Sequence, residues 1–209
     1  MTPSAGTDTR LLRTAERLFA ERGVGAVSLR AVMQEAGTNV AAVHYHFGSK
    51  EVLLEAVVRS RIGQVTDARN ALLDALSDGT REVDARSLAL AFIRPVLDVI
   101  EGGGRDWVRL IGRLLATNDP ALAPISQTFY DRNARFVDLI TRLDPQVTTE
   151  TIAFRLAQAM TMSLQVLGDV DRVRALMGGD DGEWKTDQVI DQLVDVVASI
   201  LAGPDPRSH

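Results

Sequence analysis

The chain has 209 residues, 45% of them hydrophobic and none of them cysteine, and its net charge is −5. This composition can supply a sizeable buried core, while the lack of cysteine excludes disulfides, thiolate zinc sites, iron–sulfur clusters and cysteine nucleophiles. No run reaches the roughly 18 apolar residues of a membrane span, and the N-terminus lacks the order of a signal peptide. We therefore expect a cytoplasmic protein without a membrane partner, and long stretches free of Gly and Pro favour an all-α fold.

The charge is unevenly distributed along the chain. Residues 1–50 hold six Lys and Arg against four Asp and Glu, whereas residues 51–209 hold seventeen against twenty-four. Because nucleic acids are bound by basic surface, the N-terminal fifty residues are the only segment whose charge suits that partner.

The first fifty residues predict three short helices. Apolar residues at helical spacing indicate a helix over 9–22, and Ser28 is the predicted N-cap of a second helix that ends at Gly37. Asn39 is the predicted cap of a third helix over 40–46. The short, Gly-containing connection between the second and third helices is typical of a helix-turn-helix.

The rest of the chain is predicted to be helical as well. Ser49 caps a long helix from Lys50 to about Leu76, which would extend about 39 Å and could connect two domains. Further helical patterns cover residues 84–100, 105–116, 121–143, 148–167 and 186–201. Gly, Asn, Asp and Pro clusters separate them, as expected for helix ends.

The run over residues 28–51 reads SLRAVMQEAGTNVAAVHYHFGSKE. Together with its flanks over residues 9–57, it resembles the signature of the TetR family. That signature ends with an aromatic residue or His, followed by Phe, any residue, Ser, Lys and Glu, as residues 46–51 do here. The resemblance implies an N-terminal three-helix helix-turn-helix DNA-binding domain (1–50) joined by a long helix (51–76) to a larger helical ligand-binding and dimerisation domain (51–203), with a tail over 204–209. It also implies a homodimer in which the last two long helices form a bundle.

The chemistry of the helix-turn-helix residues fits contact with double-stranded operator DNA. Short side chains allow close approach to base edges, and polar groups fix phosphates or read bases. The candidates are Val40, Ala41 and Ala42 for close approach, Arg30 for a guanine edge or a phosphate, Thr38, Asn39 and His44 for bases, and Ser28, Tyr45, His46 and Lys50 for phosphates. Each has a plainer alternative: Ser28 and Asn39 as caps, Arg30 as a solvated charge, Tyr45 as a packing residue.

The predicted reading helix departs from the family's common pattern. Where relatives often carry Lys or Gln, then Gly or Pro, then Thr, this chain has Val40, Ala41 and Ala42. We therefore expect few hydrogen bonds to bases, and part of the specificity to come from contact with thymine methyl groups.

The sequence contains few residues that could serve enzymatic catalysis. The three histidines are His44, His46 and His209, so histidine-dependent catalysis is excluded between residues 47 and 208. His44 and His46 are two residues apart, which on a helix directs them about 200° from each other rather than to one metal. We expect no catalytic residue, metal or cofactor, although a small helical enzyme that carries a helix-turn-helix stays an alternative.

The larger domain contains a candidate pocket and a candidate dimer surface. Aromatic and Met residues of the middle helices predict a ligand pocket lined by Phe92, Trp107, Ile111, Leu114, Phe129, Met160 and Leu164. The helix over 148–167 is apolar around nearly its whole circumference, and the last helix carries an apolar stripe. They predict a dimer interface with Phe154, Gln158, Leu193, Val197 and Ile200, with an ordinary intrachain core as the alternative for the last helix.

The resemblance implies a repressor that a small, lipophilic effector releases from its operator. Such a protein would be cytoplasmic, and associated with the nucleoid when bound to DNA. A regulator that activates transcription, or that acts without a ligand, is the alternative within the same class.

Overall fold

Helices carry the fold in the computed structural model, which describes residues 5–38, 47–78, 83–123, 133–177 and 185–204. No strand occurs in these ranges, so the all-α prediction is confirmed. In chain order the helices are α1 (Ala5–Arg22), α2 (Leu29–Glu35), α3 (Lys50–Ser77), α4 (Ala85–Val99), α5 (Arg105–Thr117), α6 (Ala134–Leu143), α7 (Thr149–Gly168), α8 (Val170–Leu176) and α9 (Thr186–Ala202).

Side-chain caps begin several of these helices. Ser28 accepts a hydrogen bond from the Ala31 N–H, and Ser49 accepts one from the Val52 N–H. A capping side chain satisfies a backbone donor that has no partner inside the helix. The predicted caps at Ser28 and Ser49 are therefore confirmed, whereas Asn39 lies outside the described residues.

Two parts of the predicted helix pattern are wrong. The predicted helix over 121–143 is interrupted at Asn133, a turn after which α6 begins at Ala134, and Pro120–Leu122 form a short 3-10 turn; residues 124–132 lie outside the described residues. In addition, α8 was not predicted; at its start the Asp169 carboxylate accepts a hydrogen bond from the Arg172 N–H. A seven-residue helix is too short to give a clear apolar period, so only its cap could have been recognised.

The helices share one continuous hydrophobic core. The long α3 packs against α4, which in turn packs against α9, and α7 lies against both α5 and α9. In addition, α1 packs against α3 and α5, so the N-terminal helices are joined to the larger body by buried side chains. None of the described helices is both long enough and apolar enough to cross a bilayer.

The last helix turns most of its apolar stripe inwards. Leu193 is 3% exposed and Val197 is 0% exposed, because α9 is held between α4 and α7 of the same chain. Both side chains therefore pack within their own chain, as in the alternative given for the last helix, and their place at a dimer interface stays a prediction.

Candidate functional site

The first two helices form a tightly packed unit. Leu18 and Phe19 of α1 and Val32 of α2 are almost fully buried, which fixes the two helices against each other. On the surface of the unit, an Arg17 guanidinium nitrogen lies 2.7 Å from a Glu35 carboxylate oxygen. This hydrogen-bonded carboxylate raises the pKa of Arg17, so the ion pair adds a polar link between α1 and α2.

A glycine turn ends α2. Gly37 has a φ of 59°, the left-handed region that costs glycine little. The Thr38 N–H donates to the Met33 carbonyl at 3.1 Å, and the Gly37 N–H donates to the Gln34 carbonyl at 3.2 Å. These two bonds make a Schellman motif, which satisfies the last carbonyls of α2 and sets the direction in which the chain leaves it.

Three predicted DNA-binding residues lie on the described part of this unit. Arg30 is exposed, and no described residue forms an ion pair or hydrogen bond with its guanidinium. Ser28 is exposed, with its oxygen already accepting the capping bond. Thr38 is half-buried, and its hydroxyl donates to the Met33 carbonyl at 3.3 Å, so what it can offer a base is its acceptor capacity.

Lys50 begins α3 and has a partner that the sequence did not indicate. Its half-buried ammonium group donates to the Val24 carbonyl at 3.1 Å, in the 3-10 turn between α1 and α2. An ammonium group has three donors, so two stay available to a phosphate. The next residue, Glu51, has its pKa lowered by hydrogen bonds from its own backbone N–H and from the Ser49 hydroxyl, which places a stable negative charge at the helix start.

The predicted reading helix is not part of the described structure. Asn39, Val40, Ala41, Ala42, His44, Tyr45 and His46 all lie outside the described residues. Phe47, the first described residue after them, packs against the hydrophobic core, as expected for the aromatic residue before the Ser49 cap.

Polar contacts join this N-terminal unit to the larger body. Glu16 of α1 is buried and lies 3.3 Å from the Arg61 guanidinium of α3. Arg113 of α5 donates to the Ala20 carbonyl at the end of α1, over 2.6 Å. Sequence reasoning missed these contacts, because the only available signal was a charged residue close to the apolar face of each helix.

The residues predicted to line a ligand pocket mostly fill the core. Phe92, Trp107, Ile111, Leu114 and Leu164 are buried, Met160 is half-buried, and Phe129 lies outside the described residues. The Trp107 indole N–H donates to the carbonyls of Val57 and Val58 at 3.0 and 3.2 Å, which fixes α5 on α3. Leu164 also borders a cleft of about 550 Å³ formed by α1, α5, α7 and α8.

Three predicted dimer residues stay accessible. Phe154 of α7 is 65% exposed, Gln158 lies one turn later and is also exposed, and Ile200 of α9 is half-buried. Arg155 donates to the carbonyls of Leu201 and Ala202, so this end of α7 is fixed beside the end of α9. Within the described ranges, no three His, Asp or Glu side chains come together as a metal site.

Two family models match the chain. One, described as bacterial regulatory proteins of the tetR family, matches residues 11–57. The other, described as a tetracyclin repressor-like C-terminal domain, matches residues 90–199, which is more than half of the chain.

Individual relatives match over part of the chain. The chain is 35% identical over 75 residues to the transcriptional regulator BetI of Rhizobium meliloti, covering 36% of this chain and 37% of that protein. It is 38% identical over 55 residues to the transcriptional repressor KstR2 of Rhodococcus jostii, covering 26% and 27%. The chain thus spans about a quarter to two fifths of these relatives.

A solved structure matches over the whole length. The crystal structure of a TetR-like transcriptional regulator from Rhodococcus sp. RHA1 covers 98% of this chain and 100% of its own, with a TM-score of 0.66 and 18% identity. At 18% sequence identity, this similarity shows a shared fold and nothing further.

Proposed function

The chain belongs to the TetR family of bacterial regulatory proteins, and on that premise we propose that it is a sequence-specific DNA-binding transcriptional regulator. It binds operator DNA through residues 1–50, and residues 51–203 form the ligand-binding and dimerisation domain. It represses transcription until a small effector releases it, a proposal supported by its likeness to the repressor KstR2.

One observation carries the proposal. The Schellman turn at Gly37 ends α2 just before the predicted reading helix, and the exposed guanidinium of Arg30 on α2 has no described partner. An arginine next to a reading helix can contact a guanine edge or a phosphate. Ser28 at the start of α2 and Lys50 at the start of α3 add further donors.

The proposed regulator acts as a homodimer. Phe154 is 65% exposed, an unusual state for a large aromatic side chain, and it lies where the start of α7 meets the end of α9. A two-fold interface there would bury Phe154, Gln158 and Ile200 and present two reading heads to a palindromic operator.

The test is selection of bound sequences from random DNA, followed by affinity measurements on the enriched duplex. We expect a palindrome, because a two-fold dimer reads two half-sites. Arg30→Ala should weaken binding about tenfold or more, since one good contact to a base is worth about 1–3 kcal/mol.

The matched control is Arg142→Ala, which removes an exposed arginine of α6 whose guanidinium pairs with Asp138. It should leave the affinity unchanged. The proposal fails if no sequence is enriched, or if Arg30→Ala and Arg142→Ala behave alike.

A further inference from the structure

Arg69, in the second half of α3, is a partly buried cation without a counter-ion among the described residues. None of the described carboxylates forms an ion pair with it, and its Nε is buried without a hydrogen-bond acceptor. Its guanidinium lies over the Phe92 ring, 4.6 Å from the ring centre, and its Nη2 donates to the Phe92 carbonyl over a long 3.4 Å. Burial lowers the pKa of Arg69 to about 10, so the side chain still carries its charge at neutral pH.

Another partly buried arginine of the same helix does have a counter-ion. Arg61 lies two turns earlier on α3 and faces the Glu16 carboxylate, 3.3 Å away. A buried charge costs several kcal/mol unless it is paired and hydrogen-bonded. Arg69 therefore stands out as a charge whose partner is missing from the described part of the chain.

A second unsatisfied donor belongs to the same neighbourhood. Asn133 is 5% exposed, and its Nδ2 has no acceptor. It lies one turn before Phe136, whose ring meets that of Phe92 edge-on with the ring centres 5.5 Å apart. The start of α6 reaches α3 beside Arg69, because Arg135 donates to the Asn70 carbonyl and pairs with Asp74.

These groups define the chemistry of a partner. Two donors without acceptors require a group that only accepts, and one free positive charge requires a single negative charge. A carboxylate matches the planar fork of a guanidinium, and the two phenylalanine rings favour an apolar body. Arg135 is already neutralised by Asp74, which disfavours a dianion such as a phosphate monoester.

We propose that Arg69 is the anion-binding residue of an effector site between α3, α4 and α6, and that the effector is an apolar monocarboxylate. Calling the ligand an effector rests on the proposed function; the binding of a carboxylate does not. Arg69 lies on the helix that begins with Lys50, next to the DNA-binding unit. A ligand that neutralises Arg69 therefore acts directly on the helix that joins the two parts of the regulator.

Binding is tested on the full chain without DNA, by calorimetry and thermal shift. The probes are octanoate, decanoate, benzoate and phenylacetate, each beside its uncharged amide. We expect at least one carboxylate to raise the melting temperature and to bind about tenfold or more tightly than its amide, because a charge-assisted pair is lost in the amide.

Variants assign that binding to Arg69. Arg69→Met keeps the length and apolar stem but removes the charge, and it should weaken carboxylate binding about tenfold or more while leaving amide binding unchanged. The control is Arg59→Met on the same helix, where an exposed arginine pairs with Glu55; its carboxylate binding should equal that of the unmodified chain. Arg69→Lys retains the charge without the planar fork, should fold, and should bind with intermediate affinity.

The stability of the variants without ligand provides an independent test. Because an unpaired, partly buried cation with a buried unsatisfied donor destabilises the fold, Arg69→Met should unfold at a higher denaturant concentration than the unmodified chain. The proposal is overturned if no carboxylate binds better than its amide, if Arg69→Met or Arg69→Lys binds as the unmodified chain does, or if Arg69→Met unfolds earlier. Failure to enrich any DNA would instead contradict the proposed function and leave carboxylate binding intact.

Discussion

Glu16 illustrates how a single residue couples the N-terminal unit to the body. It is 6% exposed on α1, and burial raises its pKa even though the Arg61 guanidinium acts in the opposite direction. The hydrogen bonds from Arg61 are long, at 3.3 and 3.4 Å, and the charge of Asp106 raises the pKa further. Ionised Glu16 is therefore held in the fold at a cost.

Because the fold disfavours ionised Glu16, the free energy of unfolding depends on pH. Since the folded chain holds the Glu16 proton more tightly than the unfolded chain, the contribution of Glu16 to the free energy of unfolding falls as the pH rises from 4.5 through the raised pKa. Glu16→Gln removes this titration. Its free energy of unfolding, relative to the unmodified chain, should rise between pH 4.5 and pH 8 in urea denaturation.

Glu51→Gln is the matched control with the opposite sign. The pKa of Glu51 is lowered, so its contribution is present above 4.5 and lost as the pH falls. Relative to the unmodified chain, Glu51→Gln should therefore lose stability as the pH rises towards 4.5 and should show no further change between pH 4.5 and pH 8. The same slope for both variants would contradict the assigned environments.

The sequence predicted most helix starts because capping is a local property. Ser28 and Ser49 were recognisable as caps, and both accept the predicted backbone bond. The break before α6 and the existence of α8 were missed, since neither leaves a long apolar period. Contacts between helices were less predictable still: Lys50 binds the Val24 carbonyl, a partner that no spacing reveals.

Close contact between α5 and α7 depends on a glycine. A Cβ on Gly168 would lie 3.1 Å from the Arg109 Cα, which is backbone that cannot rotate away. Gly168→Ala should therefore separate the two helices and lower the free energy of unfolding by about 1–3 kcal/mol. Denaturant unfolding of the purified variant measures the change.

Gly63→Ala is the control for the glycine experiment. Gly63 lies within α3, and a Cβ there would have nothing within 4 Å. Alanine is the better helix former, so this variant should gain roughly 0.5–1 kcal/mol. A loss of stability at Gly63, or none at Gly168, would contradict the packing described for these helices.

At the scale of the whole molecule, an apolar helix face does not reveal which chain covers it. From the sequence, the apolar stripe of α9 could pack against a partner chain as well as against its own chain. In the structure, Leu193 and Val197 are buried against α4 and α7 of the same chain. Phe154, predicted on the same reasoning, is exposed. Residue patterns therefore identified apolar helix faces, and the packing of the chain shows which of these side chains its own helices cover.

The proposed dimer predicts the effect of a charge at Phe154. Phe154→Glu would bury a carboxylate at the interface, so the variant should be a monomer where the unmodified chain is a dimer. Light scattering coupled to size-exclusion chromatography measures the mass. Leu176→Glu, at a 78% exposed leucine on α8, should stay dimeric, and the reverse pattern would move the interface to α8.

The central claim is that this chain recognises a DNA sequence, and fluorescence anisotropy tests it most directly. The full chain is titrated into the selected duplex and into a shuffled duplex of the same composition, at the same salt concentration. We expect the selected duplex to bind about a thousandfold more tightly, the lower end of the range for specific regulators. Equal affinity for the two duplexes would contradict the claim, because it would leave only the attraction between phosphates and basic side chains.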